Sequence, residues 1–384
     1  MKRALKFFLV FLAAASFIFA IVIGFNYSAF KTLFANNDGM RDGYEYIEST
    51  YSLKALAEFI GDHPEYMSVV SFNVNDPDSG IYYNADVPRT MGTLANVFLI
   101  LEYERQVESG ELNPNEILED IDEIERFSLP EISEESHRKS YELLGVEEKS
   151  PITVDQLVSV MVETNDLAIA DYLWFKLGGQ NIQSLIDSLN LSSTDTPLPF
   201  SGLYLSIHPD VIDTSLYISR ADVIALAERL NTEPDFVRET KELFDDVRLD
   251  LSFIEERNAL AHFPHTTSRE IAGLMAKLHN NELISPEVSI RVKEKMKWVF
   301  EGEAIKRSFS EYGAIYDNRM GMLSGIDFGT SAYDGHTSAQ AVFFDKLPVA
   351  FWLHLSANHM QEDYQQRLIW DPALYETTIK EISK

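Results

Sequence analysis

The chain has 384 residues, 45% of them hydrophobic and 12% aromatic, which suits one large domain or two small ones with a real core and excludes a disordered chain. Its formal net charge of -29 argues against nucleic acid as a partner, because phosphate contacts need a basic surface. The absence of cysteine excludes disulfides, a lipidated-cysteine anchor and thiol-based catalysis or metal sites.

In chain order, residues 1–6 form a basic tip, and residues 7–25 run without a charge from Phe7 to Phe25. About 20 apolar residues cross a bilayer as a helix, so this run is expected to be an uncleaved transmembrane anchor, with a cleaved signal as the alternative. The basic residues ahead of it leave the amino end in the cytoplasm and the bulk in the cell envelope, or secreted if the segment is cleaved. Residues 26–43 read as a polar tether, and residues 44–384 as the folded domain.

Within the domain the pattern predicts an amphipathic helix over Tyr44–Ile60, a strand over Ser68–Val74, a turn over Asn75–Gly80 and a return strand over Ile81–Tyr83. A buried helix is predicted over Thr90–Val107. The acidic stretch Glu108–Glu148 lacks the glycine and oxygen spacing of a calcium loop and reads as a solvated face. Ser136-His137-Arg138-Lys139, inside it, reads as a polar segment with no buried helix. Thr153 and Gln156 form a capping box for the next helix, and Ala168–Leu177 is a further helix closed by Gly178-Gly179. A second capping box, Thr267 with Glu270, opens a helix to His279, and Pro286 starts another. Ser338–Phe344 and Val349–Leu355 are predicted strands of one antiparallel hairpin, followed by a terminal helix over Glu362–Ile382. The order implies an α+β fold, with an antiparallel sheet from both chain ends packed on helices from the middle. No phosphate-binding glycine loop occurs, and the histidines lack zinc-site spacing, so neither cofactor nor metal is expected.

The stretch Tyr83–Tyr103 resembles the nucleophile segment of class A β-lactamases and related penicillin-binding-protein-like serine hydrolases, where a hairpin leads to Ser-x-x-Lys at the start of a buried helix. Here Thr93 stands at the serine position and Asn96 at the lysine position. Met161–Leu173 resembles the family's Ser-Asp-Asn region, with Asn165 at the serine, Asp166 at the aspartate and Leu167 at the asparagine. A register one residue earlier would put Thr164 at the relay position. Arg319-Met320-Gly321 resembles the Lys-Thr-Gly motif, keeping a cation and the glycine and losing the hydroxyl. The region of the family's deacylating glutamate, Thr196 to Asp213, contains no glutamate, and residues 219–263 read as an insertion or altered connection.

The resemblance implies the β-lactamase/transpeptidase-like fold. Acylation needs a hydroxyl nucleophile, a base and a proton relay. A positioned base is worth about 10²–10⁴-fold in rate, so the replacements at Thr93, Asn96, Asn165 and Met320 together imply a catalytically degenerate module. The catalytic positions are Thr93, Asn96, Asn165 and Asp166, and the ligand-binding positions are Arg319, Met320, Gly321 and Leu167. The expected partners are a peptidoglycan-like peptide or an envelope protein, with the membrane engaged through the amino-terminal helix. The alternative is an acyl-transfer hydrolase that uses Thr93 as nucleophile, with Asp166 or an acid of the insertion as base.

Overall fold

The computed structural model describes residues 36–130, 132–148, 150–212, 218–246, 251–296, 315–321 and 325–384. The expected anchor, residues 7–25, lies outside them, and among the described residues no helix is long and apolar enough to cross a membrane.

Helices α1 (Tyr44–Ser49) and α2 (Leu53–Asp62) lead into strands β1 (Met67–Asn73) and β2 (Asp76–Tyr83). A short strand β3 (Arg89–Thr90) and a 3-10 turn at Gly92–Leu94 open α3 (Ala95–Ser109). The helical half continues with α4 (Asp122–Glu125), α5 (Glu134–Leu144), α6 (Val154–Thr164), α7 (Leu167–Leu177), α8 (Gly179–Ser188) and α9 (Phe200–Ile207). Next come α10 (Arg220–Thr232), α11 (Pro234–Asp246) and α12 (Phe253–Ala259). Strand β4 (His265–Thr266) returns to pair with β3, followed by α13 (Ser268–His279) and α14 (Pro286–Met296). The chain re-enters the sheet with β5 (Ile315–Gly321), β6 (Ile326–Tyr333) and β7 (His336–Phe344), and ends in α15 (Val349–Ala357), α16 (Met360–Trp370) and α17 (Pro372–Ile382).

The main sheet has five strands in the order β2-β1-β7-β6-β5, all antiparallel. Strand side chains alternate between faces, and the alternation builds two cores. Val70, Phe72, Ala341 and Phe343 join the helical half around Phe98 and Leu101. Met67, Val69, Val342 and Phe344 face an outer layer holding Leu56, Ile60, Phe351 and Tyr364. The α+β architecture expected from the element order is therefore present.

Several elements differ from expectation for local reasons. Val349–Leu355 is helical, not a strand. Both edges of β7 are already taken by β1 and β6, so no edge remains for a hairpin partner. Pro348 precedes the first turn, and the Asp42 carboxylate accepts the Val349 N–H at 3.0 Å. The predicted Tyr44–Ile60 helix is broken at Thr50–Ser52, where the Ser52 hydroxyl caps α2 through the Ala55 N–H. The terminal helix breaks at Asp371, which caps Ala373 and Leu374, because Pro372 has no N–H to continue a ladder. Ser136–Lys139 lies on α5, with His137 and Ser140 buried. The Thr153–Gln156 capping box is formed as predicted. Thr267 caps α13, while the Glu270 carboxylate accepts from Ser193 N–H at 2.9 Å and Thr194 Oγ1 at 2.6 Å.

Gly202 of α9 lies directly against the Val223 carbonyl of α10, so a methyl group there would overlap that oxygen. Gly202→Ala is expected to destabilise the fold by about 1–3 kcal/mol through overpacking. An unchanged urea midpoint would mean that α10 does not sit on α9.

Candidate functional site

The first motif is held by the short β3–β4 ladder. Thr90 sits opposite His265, and the Met91 N–H donates to the Pro264 carbonyl at 2.7 Å. Arg89 is buried and anchors the approach, donating to Ser68 Oγ at 3.0 Å and to the Met67 carbonyl at 2.8 Å. Gly92 then takes a left-handed φ of 52°, which a side chain would disfavour, and the 3-10 turn carries Thr93 into α3. Thr93 and Asn96 are each 5% exposed. Both polar atoms of the Asn96 amide are buried and have no hydrogen-bond partner among the described residues.

The second motif sits at the α6–α7 junction. Asn165 is half-buried and left-handed (φ 54°), ending α6. Asp166 is fully buried and caps α7, its Oδ1 accepting from Ala168 N–H at 2.8 Å and Ile169 N–H at 3.1 Å. Leu167 is half-buried against the core. The Thr164 hydroxyl donates to the Val160 carbonyl and pairs with Ser140 Oγ, each at 2.8 Å, so it is engaged inside the α5–α6 contact.

Behind this junction lies a cluster that the sequence reading missed. His137 Nδ1 is 2.8 Å from Asp166 Oδ2, and its Nε2 is 3.1 Å from Glu125 Oε2. Glu125 also accepts from Tyr141 Oη at 2.8 Å and from Lys241 Nζ at 2.5 Å. Burial alone would lower the His137 pKa, but hydrogen bonds donated to two carboxylates outweigh it and push the value up to about 9. Burial would raise Glu125, and the bonds from His137, Lys241 and Tyr141 instead hold it at about 2. The signal was available, since His137, Ser140, Tyr141 and Leu144 recur at i, i+3, i+4 and i+7, one face of a helix.

The connection after α8 is a helical excursion with a closed neck. The Asp195 N–H donates to the His265 carbonyl at 2.8 Å, and the His265 N–H donates to Asp195 Oδ2 at 2.9 Å. Buried Asp171 holds the start of α9, accepting from Phe200 N–H at 2.6 Å and Ser201 N–H at 2.7 Å, and burial pushes its pKa up to about 7. The two acids between Thr196 and Asp213 do not supply the missing glutamate's place in the described structure, since Asp210 is exposed and Asp213 lies outside the described residues. The expected 219–263 segment contains α10–α12, pinned back by Lys241 to Glu125 and by Arg126 Nη1 to the Asn231 carbonyl at 2.9 Å.

The third motif lies on edge strand β5, which packs against the 3-10 turn of Thr93. Arg319, Met320 and Gly321 pair in register with Phe328, Asp327 and Ile326. The side chains of Arg319 and Met320 lie outside the described residues. The fold thus brings the backbones of the first and third motifs together, while Asn165–Leu167 stand at their own helix junction. Among the described residues no cluster of three or more metal-ligating side chains occurs.

A buried helix entered from a 3-10 turn, an edge strand beside it and an aspartate-capped junction are set in the β-lactamase/transpeptidase-like α+β fold. The family model described as the Beta-lactamase enzyme family matches residues 52–348, and the chain belongs to that family. Its fold is similar to a β-lactamase from Sphaerobacter thermophilus, at 13% identity, covering 86% of this chain and 98% of that one, with a TM-score of 0.51. It is also similar to a β-lactamase from Chitinophaga pinensis, at 13% identity, 84% and 99% coverage and a TM-score of 0.54. The TLA-1 extended-spectrum β-lactamase gives 13% identity, 85% and 99% coverage and a TM-score of 0.55. At this identity the solved structures share the fold. No curated protein matches the sequence.

Removing the unpaired amide should stabilise the protein. Asn96→Leu is expected to raise stability by about 1–3 kcal/mol, read as a higher thermal midpoint, because a buried unsatisfied polar group carries that penalty. A fall in the midpoint would mean the amide is satisfied.

The His137 cluster sets a pH window. The His137 pKa rises on folding from 6.5 to about 9, so its contribution is full below 6.5 and is lost as pH climbs through about 9. The Glu125 contribution is present above 4.5 and is lost as pH falls through about 2. The stability advantage of the wild type over His137→Gln should therefore shrink on the order of 2 kcal/mol between pH 6 and pH 10. Urea titrations of the two proteins measure this directly, and parallel pH curves would contradict the assignment.

Proposed function

We propose that this protein is a membrane-anchored, extracytoplasmic member of the β-lactamase family that has lost acyl-transfer chemistry and uses its cleft for binding in the cell envelope. Residues 7–25 supply the anchor, and the charge-free run behind a basic tip supports that reading. The ligand is a peptidoglycan-like peptide or an envelope protein. Arg319, whose position on β5 is next to the first motif, supplies the cation for a ligand carboxylate, with Met320, Gly321 and Leu167 as the further ligand-binding positions of this reading.

The observation that carries the reading is Asn96. An acylating serine or threonine needs a neighbour that accepts its proton and passes it on. An amide does not titrate at neutral pH, and among the described residues no hydrogen-bonding group reaches the Asn96 side chain. Asp166 does not replace it, because one carboxylate oxygen caps α7 and the other faces His137. Asn165 and Leu167 offer no relay hydroxyl at the second motif.

Intact-mass spectrometry after incubation with a fluorescent penicillin tests the reading, with Thr93→Ala as control. The expected result is an unmodified mass for both proteins. A penicilloyl adduct that maps to Thr93 and is lost in Thr93→Ala would overturn it and make Thr93 a working nucleophile.

A further inference from the structure

We infer that a cavity on the outer layer, between the start of α2 and helices α15–α17, is a second binding site, and that it takes a neutral oligosaccharide. The outer layer covers the opposite face of the sheet from the helical half that carries α3 and the α6–α7 junction. The cavity is therefore distinct from the cleft, and its ligand does not depend on whether Thr93 acylates.

The cavity lies where two helix breaks come together. The entry to α2 supplies Tyr51 and Lys54, the break at Asp371 supplies that residue, and α16 supplies Asp363 and Arg367. Its volume of about 620 Å³ falls within the range of about 300–1,000 Å³ typical of small-molecule sites. A smaller cavity of about 340 Å³ shares Asp371 and has Tyr375 in its wall, which gives a linear ligand room to continue past Asp371.

The walls select the ligand by charge. Side chains of fixed charge balance, with Lys54 and Arg367 against Asp363 and Asp371, although the chain as a whole carries -29. An anion would meet two carboxylates here and a cation two basic groups, so both are less well matched than a neutral molecule. Among the described residues no strand lines the larger cavity, so a peptide finds no main-chain ladder to join.

Hydrogen-bonding side chains then favour hydroxyls. Asp363 Oδ1 accepts from Arg367 Nε at 2.8 Å, and the two side chains are 44% and 42% exposed. The pair presents its second carboxylate oxygen beside the terminal guanidinium nitrogens, an acceptor next to donors. A hydroxyl both donates and accepts, so neighbouring hydroxyls on a sugar ring match this pair.

Tyr51 supplies the platform. At 71% it is the most exposed large hydrophobic side chain among the described residues, yet its ring is positioned by packing. It meets His354 edge to face, with ring centroids 5.6 Å apart at 84°, and His354 Nε2 donates to the Thr50 carbonyl at 2.9 Å. An aromatic face set in place at the mouth of a polar cavity suits the apolar C–H face of a sugar ring, and setting it in advance lowers the cost of binding. Met360 and Leu374 add apolar surface to the same wall.

The test titrates the full-length chain, in a detergent without sugar headgroups, with cellotriose, chitotriose and the anionic trigalacturonate by calorimetry. The expected result is saturable binding of at least one neutral trisaccharide, about tenfold or more tighter than trigalacturonate. Tyr51→Ala should weaken it about tenfold, about 1.4 kcal/mol, while Tyr51→Phe should keep it, because the ring and not the hydroxyl forms the platform. Tyr51 stands mostly in water, so the thermal midpoint of Tyr51→Ala should stay that of the wild type. No saturable binding of either neutral sugar would overturn the site. Binding unchanged in Tyr51→Ala would put the sugar elsewhere and overturn it too. Tighter binding of trigalacturonate would overturn the neutral class and make the cavity an anion site. The penicillin experiment tests the cleft alone, so the two readings fail separately.

Discussion

The pairing of β1 with β7 joins the two ends of the domain, and both cores depend on it. Val69 sits opposite Val342 and Val70 opposite Ala341, so one ladder places an outer-layer pair beside a helical-half pair. A slip of β1 by one residue would exchange its faces, putting Val70 into the outer layer and Val69 against the helical half. The register is thus specified twice, once by each apolar layer. The same ladder leaves β5 as an edge strand, and an edge strand can lie beside the α3 entry turn where a central one could not. The contact between β5 and the α3 entry turn is a consequence of sheet order before any site residue is considered.

Polar groups at the first and second motif positions fall into two kinds. At the α6–α7 junction every described oxygen of Asp166 has a partner, and His137 and Glu125 extend the arrangement to Lys241 on the excursion that follows α8. Such a buried, fully paired network resists change, because losing one member leaves the others charged and unpaired. At the α3 entry the opposite holds, with Asn96 buried and unpaired. Asp166 caps α7 and Gly92 takes the left-handed turn that leads into α3.

The large acidic excess is handled in two ways. Acids drawn inside meet cations or N–H groups, as Glu102 meets Arg105 and Asp171 meets the first turn of α9. Many of the others remain in water, where isolated charges contribute little to stability and much to solubility.

How much was legible in the sequence follows from the range of the forces involved. Helix caps at Thr153 and Thr267, the buried α3 and strands β1 and β7 could be read directly, because caps act over three residues and periodicity over one or two turns. The helix at Val349–Ala357 could not, because a seven-residue apolar run fits a strand or a buried helix equally well. What decides is that β1 and β6 already occupy both edges of β7. His137 was passed over for a related reason, as its polar neighbours hide a helical face whose partners, Glu125 and Asp166, come from other elements. The sequence by itself determined the family and the α+β class. Only the tertiary structure decided which polar atoms are paired and which are not, because hydrogen-bond satisfaction depends on groups brought together from distant parts of the chain.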